Sequence, residues 1–355
     1  MIIRNDIGLV KVIHRVADMT KKIYVIYTGG TIGMKPTDSG YAPSGNLQAL
    51  LDEKLPSHVR KGLPDFDLVE YDQLIDSSNI RPQNWKQIAT DIADNYEDYD
   101  GFVVLHGTDT MAFSSSMMSF MLRNLNKPVV FTGSQIPLCE ARSDGLENFV
   151  GALSIATDDR INEVCLYFNG RLMRGNRARK QNAYLFDAFD SPNFPWLGRA
   201  DINIELSDYL LLKPENKPEF HLECSEDTQV GILQLFPGIT AQWMEAALNQ
   251  PQKAFIMRTY GTGNGPDGDQ ALLDALKKAS DEGKIIVNLT QCHRGRVHQG
   301  SYAAGSALAE AGVIGGLDTT TEAMFCKLHH LLSKDHSPEE IREIVGQNIS
   351  GELTI

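Results

Sequence analysis

The sequence predicts an α/β protein: an open, doubly wound parallel sheet followed by a smaller α/β unit. Three observations carry this. Residues 23–27, 102–105, 129–132 and 164–168 are short, near-continuously apolar runs, the pattern of parallel strands covered on both faces. Helical patterns at 84–95, 110–125 and 143–156 lie between them and give a βαβ rhythm. After a break, a second set of apolar runs (230–236, 254–259, 285–289) alternates with helical patterns at 241–248, 270–282, 301–311 and 320–332. Ser337-Pro338-Glu339-Glu340 then reads as a helix start, with serine as the N-cap and proline at the first position.

Taken in chain order, residues 1–18 contain Arg4, Asp6, Lys11, His14, Arg15 and Asp18. These charges interrupt any run long enough for a signal h-region or a membrane span. With Met19 just ahead of the first strand, residues 1–18 are expected to be an extension outside the core fold. Residues 19–206 are expected to form the larger α/β domain. The rhythm fails at 186–201, which holds Pro192, Pro195 and Gly198, and residues 213–227 are acidic, carry Pro214 and Pro218, and have few apolar groups. That shift in composition predicts a linker over 207–228 and a smaller domain over 229–355.

Composition narrows the function. The 355 residues are 42% hydrophobic and 22% charged, ordinary for a globular chain with a sizeable core. A net charge of −13 argues against nucleic acid and against an anionic membrane as partners. Cys139, Cys165, Cys224, Cys292 and Cys326 are scattered with no C-x-x-C, so reduced thiols are expected rather than a disulfide framework or a zinc knuckle. His329-His330 and His336 form no H-E-x-x-H, so no metal site is expected.

Two glycine-bearing loops carry the chemistry. Thr28-Gly29-Gly30-Thr31-Ile32-Gly33 comes directly after the first strand. Its glycine spacing fits neither G-x-G-x-x-G nor the P-loop, and no strong helix pattern begins at Ile32 to seat a phosphate. What remains is two hydroxyls at the carboxyl end of a strand, the edge where open α/β sheets bind ligands. Alone, this loop reads equally well as a tight turn with structural threonines. The second loop, His106-Gly107-Thr108-Asp109-Thr110, again runs from a strand into a helix. Asp109 could serve only as an N-cap, and His106 could be a satisfied buried histidine. Two threonines at one sheet edge say more together. A threonine hydroxyl needs a base or a relay to become a nucleophile, and a lysine held in a buried setting can supply one.

The segments 24–33 and 101–111 resemble the two signature motifs of the bacterial-type asparaginase/glutaminase family. The likeness runs from about Lys21 to Ile355 and includes Gly133-Ser134-Gln135-Ile136-Pro137, Arg174-Gly175-Asn176-Arg177 and Val287-Asn288-Leu289-Thr290-Gln291-Cys292. These favour the cytoplasmic type I branch. The resemblance implies a flavodoxin-like larger domain, assembly as a homodimer or homotetramer, and hydrolysis of L-asparagine to L-aspartate and ammonia without a cofactor. It also implies roles. Thr31 would be the nucleophile and Tyr41 the mobile-loop tyrosine that assists it. Asp76-Ser77-Ser78 would grip the substrate α-carboxylate, with Ser77 the closest match. Thr108 would be the second catalytic threonine and a source of oxyanion stabilisation. Asp109 would hold the α-ammonium, and Lys180 would relay a proton with Thr108. Outside the resemblance, Lys180 reads as surface, at the end of the basic run 171–180.

Arg258 and Cys292 match residues tied to a second, activating asparagine site in some type I enzymes. Arg179 stands where those enzymes have a small hydroxyl residue, which predicts weak or no cooperativity. Two alternatives compete with the hydrolase. A D-type subunit of a tRNA-dependent amidotransferase shares the motifs but needs an added N-terminal domain. A non-catalytic amino-acid- or nucleotide-binding protein on the same fold has no use for both threonines and the lysine.

Overall fold

The computed structural model describes residues 20–38, 40–213, 219–225, 230–299 and 303–355. The extension expected over 1–18 and parts of the expected linker lie outside these residues. Among the described residues the larger sheet has eight strands: β1 (Lys22–Tyr27), β2 (Asp65–Glu70), β3 (Gly101–Leu105), β4 (Val129–Thr132), β5 (Val164–Phe168), β6 (Arg171–Arg174), β7 (Gly198–Ala200) and β8 (Ile204–Leu206). Their spatial order is β8-β7-β6-β5-β4-β3-β1-β2. The five strands β1 to β5 are parallel and lie in the order 2-1-3-4-5, the flavodoxin-like arrangement whose switch point falls between β1 and β3. β6, β7 and β8 extend this sheet by antiparallel pairing.

Alternation along β1 sends Tyr24 and Ile26 to one face and Ile23, Val25 and Tyr27 to the other. The first face packs with α1 (Pro82–Asp94) and α2 (Met111–Met121). The second packs with the short helix Leu47–Lys54 and α3 (Gly145–Ile155). β2 is absent from the strands the sequence predicts because Asp65-Phe66-Asp67-Leu68-Val69-Glu70 alternates polar and apolar, as an edge strand does, and is not a continuous apolar run. The helix expected over 110–125 stops at Met121. Leu122 and Arg123 turn into a short strand paired with His221–Leu222.

That pairing also changes the picture of the expected linker. Phe220 stacks on Tyr96, with ring centroids 3.7 Å apart and planes 12° from parallel. Residues 219–225 therefore run along the larger domain rather than across open space.

The smaller sheet is all parallel: β9 (Val230–Gln234), β10 (Ala254–Thr259), β11 (Ile285–Thr290) and β12 (Ile314–Gly315), in that order. Around it lie α4 (Ala241–Leu248), α5 (Gln270–Asp281), α6 (Ala303–Glu310), α7 (Thr321–Leu332) and α8 (Pro338–Val345). Ser337 caps α8 in a full capping box with Glu340, as its sequence predicts. α7 is shared between the two sheets: it packs on α2, with Phe113 and Phe325 edge to face at 5.7 Å, and Cys326 lies in the larger core.

The last residues tie the two units together. Gly351 O accepts from Arg177 Nε at 2.8 Å and Ser350 O from Asn176 Nδ2 at 2.8 Å. The tail itself is held by Lys327 of α7, whose ammonium is fully buried and bonds Glu352 Oε1 at 2.7 Å and Val345 O at 3.0 Å. Glu352 in turn accepts from Ser350 N at 2.7 Å. Removing one member of a buried ion pair strands the other charge, at a cost of about 3–5 kcal/mol. Lys327→Met is therefore expected to lower unfolding stability in urea by about that amount. Lys327→Met/Glu352→Gln, which leaves a neutral acceptor for the backbone, is expected to lose clearly less. Equal losses would show that the charge pair is not what holds the tail.

Candidate active site

Loops from the carboxyl ends of β1, β2 and β3 meet at the switch point. Thr28 donates to Leu105 O through both its amide (3.1 Å) and its hydroxyl (3.0 Å), and Ile75 N donates to Thr28 O at 2.8 Å. The decisive contact is between glycines. Gly29 and Gly30 have φ of 123° and 88°, in the left-handed region that favours glycine. A Cβ on Gly30 would fall 2.4 Å from both Cα and N of Gly107, and one on Gly107 would fall 2.5 Å from Ser77 Oγ. The three loops touch at these glycines, and Thr31 and Thr108 each stand one residue beyond that contact.

Thr31 opens a 3-10 turn, Thr31–Gly33, and is half-buried. Thr108 is buried. Lys180 Nζ lies 2.8 Å from Thr108 Oγ1 and 2.6 Å from Asp109 Oδ1. The rest of the Asp109 side chain is exposed. Lys180 leaves the surface because the 3-10 turn Gly175–Arg177 before it is buried under the C-terminal tail, and Arg179–Lys180 then pair with Phe189–Asp190. A run of basic residues gives no hint of that burial.

Ser77 is buried beneath Gly107, and its carbonyl accepts from Thr110 Oγ1 at 2.7 Å. Asp76 Oδ1 accepts from Ser78 N at 3.0 Å and so caps the turn Ser77–Asn79, leaving Asp76 and Ser78 at the cleft. A polar cavity of about 920 Å³ opens beside Asp76.

Tyr41 sits on the hairpin Met34–Thr37/Gly40–Pro43 that comes after the turn Thr31–Gly33. Its hydroxyl donates to Glu140 Oε1 at 2.7 Å rather than to Thr31, and that bond raises its pKa. Two residues not singled out from the sequence also belong here. Gln135 Oε1 accepts weakly from Thr108 Oγ1 at 3.4 Å, and the Gln135 amide reaches Leu185 O at 3.1 Å. Glu140 holds Tyr41. Both stand on the segment leaving β4, the next strand end along the same edge. Gln135 lies in the Gly133-Ser134-Gln135 segment that shares the family resemblance.

The second cluster forms around Glu322. Arg179 Nε lies 3.2 Å from Glu322 Oε2. Arg258 donates to Gln234 Oε1 at 3.2 Å and to Gln291 O at 3.3 Å. Burial, then the nearby Arg179 charge, lowers the Arg258 pKa. Among the described residues Glu322 thus pairs with Arg179 alone, and Arg258 feels both charges through space. Cys292 is exposed on the loop after β11, its amide donating to Thr290 Oγ1 at 3.0 Å.

His106 is the satisfied buried histidine that its residue type allowed. Nδ1 bonds Gly107 O at 2.7 Å and Nε2 pairs with Ser114 Oγ at 2.9 Å, which fits the neutral tautomer with its proton on Nδ1. Burial pushes its pKa down to about 4. At neutral pH it braces the Thr108 loop and carries no charge. Thr110, not Asp109, is the N-cap of α2. Asp109 is therefore left to the cleft.

Chemically, this edge offers a hydroxyl on a glycine turn, a second hydroxyl wired to an amine, a carboxylate facing open space and backbone N–H groups close by. That is the equipment of a hydrolase acting through a hydroxyl nucleophile. Comparison with known proteins is specific. Residues 22–210 match the asparaginase N-terminal domain and residues 229–345 the glutaminase/asparaginase C-terminal domain. The chain is 51% identical to L-asparaginase 1 of Escherichia coli K12 over 335 residues, covering 94% of this chain and 98% of that one. The crystal structure of L-asparaginase I from Vibrio cholerae superposes with a TM-score of 0.86 at 49% identity, over 94% of this chain and 99% of that one. The thermostable L-asparaginase from Thermococcus kodakarensis gives 0.85 at 31% identity, with the same coverage. The chain belongs to the asparaginase family.

His106 sets an acid limit. Its folded pKa near 4 lies below the ordinary 6.5, so the unfolded chain takes up its proton first as the pH falls. Stability is complete above about pH 6.5 and drains away towards pH 4, by about 3 kcal/mol for this group. Urea unfolding across that range is expected to show His106→Gln losing less than the parent protein. Parallel curves would exclude His106 as a source of acid sensitivity.

Proposed function

We propose that this protein is a cytoplasmic type I L-asparaginase that hydrolyses L-asparagine to L-aspartate and ammonia, with Thr31 as nucleophile. The observation that carries the reading is Lys180 Nζ, in reach of both Thr108 Oγ1 and Asp109 Oδ1. It ties an amine to a hydroxyl one residue from the Gly30–Gly107 contact.

In this reading Asp109 holds the α-ammonium. The turn Asp76-Ser77-Ser78 receives the α-carboxylate, Asp76 shaping the turn and Ser77 and Ser78 contributing hydroxyl and N–H groups. The substrate side chain then points at Thr31. Substrate entry draws Tyr41 from Glu140 towards Thr31, where its hydroxyl helps to move the Thr31 proton. Thr31 Oγ1 attacks the amide carbon, and the oxyanion is met by backbone N–H groups that include Thr108. Such donors are each worth about 10²–10³ in rate. The proton taken from Thr31 is passed to the amide nitrogen, the C–N bond breaks and ammonia leaves. Water then attacks the Thr31 ester, its proton relayed through the Thr108–Lys180 pair to Thr31 Oγ1 as the acyl–oxygen bond breaks, and aspartate is released. The protein works as a homodimer or homotetramer. Among the described residues no helix is long and apolar enough to cross a membrane.

The test is ammonia release across L-asparagine and L-glutamine concentrations. Thr31→Ala is expected to lower kcat by about 10³-fold or more, and Lys180→Met by about 10²–10⁴-fold. If Thr31→Ala keeps its rate, the nucleophile lies elsewhere.

The same curves test the second cluster. Arg179 brings a second cation beside Arg258, bulkier than the hydroxyl residue of activated relatives, so the rate is expected to follow a hyperbola. A sigmoidal curve that Arg258→Ala makes hyperbolic would restore the activating site.

A further inference from the structure

β1 ends in Tyr27, whose side chain is completely buried on the face shared with α3. Its hydroxyl is buried too, and has no hydrogen-bond partner among the described residues. An unpaired hydroxyl in that position costs about 1–3 kcal/mol, so its retention calls for a reason beyond filling the core.

The reason lies in what the phenol touches. A Cβ on Gly33 would fall 2.0 Å from Tyr27 Oη and 2.5 Å from Cζ. Gly33 closes the turn Thr31–Gly33, and its φ is not in the left-handed region, so its backbone does not demand glycine. The heavy atoms nearest to that missing side chain all belong to Tyr27. The ring thus starts at the strand end, four residues before Thr31, and returns beneath the turn's last residue. Ile32 lies in the same buried cluster and holds the middle of the turn. Burial and the nearby Glu70 charge both keep the phenol protonated.

We propose that Tyr27 is a positioning residue for the nucleophile: its phenol, seated against the bare face of Gly33, sets the height of the turn that presents Thr31. This rests on the reading of Thr31 as the nucleophile. A misplacement of about 1 Å at a reacting group costs on the order of 10²-fold, so a methyl group forced between Tyr27 and Gly33 is felt as lost rate.

The experiment is a double-mutant cycle on ammonia release, with kcat referred to folded enzyme and melting temperature measured in parallel. Gly33→Ala is expected to lower kcat by about 10–10²-fold with KM changed less than about threefold. Tyr27→Leu is expected to lower kcat by about 10-fold, because the turn loses its prop. Tyr27→Leu/Gly33→Ala is expected to recover much of the Gly33→Ala loss, since the clash is gone. Tyr27→Phe keeps the ring and is expected to retain far more kcat than Tyr27→Leu. Losses that multiply in the double variant, or melting temperatures that fall while kcat holds, would overturn the proposal. Thr31→Ala separates this from the reading beneath it. If that variant is inactive and Gly33→Ala is unimpaired, the positioning role fails alone; if it is active, both fail.

Discussion

The contact between Gly30 and Gly107 is the constraint on which the site depends. In a 2-1-3-4-5 sheet, the crossovers after β1 and β3 diverge at the switch point, and a crevice opens between their loops. Here the crevice floor is closed by backbone lying on backbone, with a Cβ on Gly30 excluded by the Gly107 main chain and a Cβ on Gly107 excluded by Ser77. Side chains could hold the loops at a distance that rotamers would blur. Main chain against main chain leaves no rotamer to blur it. Two hydroxyls on separate strands then need no flexible partner to keep their spacing.

A second constraint acts from the opposite end of the chain. Lys180 reaches Thr108 because the turn Gly175–Arg177 is pinned by carbonyls of residues 350 and 351. Those carbonyls are set by Glu352, and Glu352 by Lys327 on the helix both sheets share. Arg177 adds an ion pair to Asp318 at 3.1 Å, beyond the last strand of the smaller sheet. The Lys180 amine beside Thr108 is therefore fixed by the smaller unit, although it belongs to the larger one. Buried charge appears along this route because its targets are carbonyls and carboxylates, which apolar packing would leave unsatisfied.

The larger sheet is legible in the sequence where its strands are buried on both faces. β4 and β5 have the boundaries their apolar runs predict, and Ser337 caps the helix its motif describes. β2 is hidden because an edge strand alternates, and six residues of alternation compete with a loop reading. Met121 ends α2 although the apolar pattern runs on, because Leu122–Arg123 find backbone partners in His221–Leu222, a long-range pairing that local pattern does not encode. The site splits in the same way. Thr31 and Thr108 declare themselves by glycine and strand context. Lys180 does not, since its burial is created by the far end of the chain, and only the family resemblance singles it out. Glu140 gives no signal at all: its partner, Tyr41, is 99 residues distant on an exposed hairpin.

The segment after β1 decides which chemistry the edge serves. In phosphate-binding sheets the first strand feeds a glycine turn and then a helix, whose N-terminus attracts the anion. Here the glycine turn feeds a single 3-10 turn and a hairpin, so this segment points no helix dipole into the crevice. The charge arrangement matches that absence. Asp109 and Asp76 stand at the cleft, and Lys180, a cation within reach, is already engaged by Asp109 and Thr108. Such an edge disfavours a phosphate, and under the proposed reading a zwitterion with a neutral amide would suit it, its ammonium facing a carboxylate and its carboxylate facing hydroxyl and N–H groups. The hairpin in the helix's place also carries a tyrosine to the rim. Giving up the helix N-terminus therefore removes an anion site and, in the same stretch of chain, adds an exposed tyrosine hydroxyl at the rim.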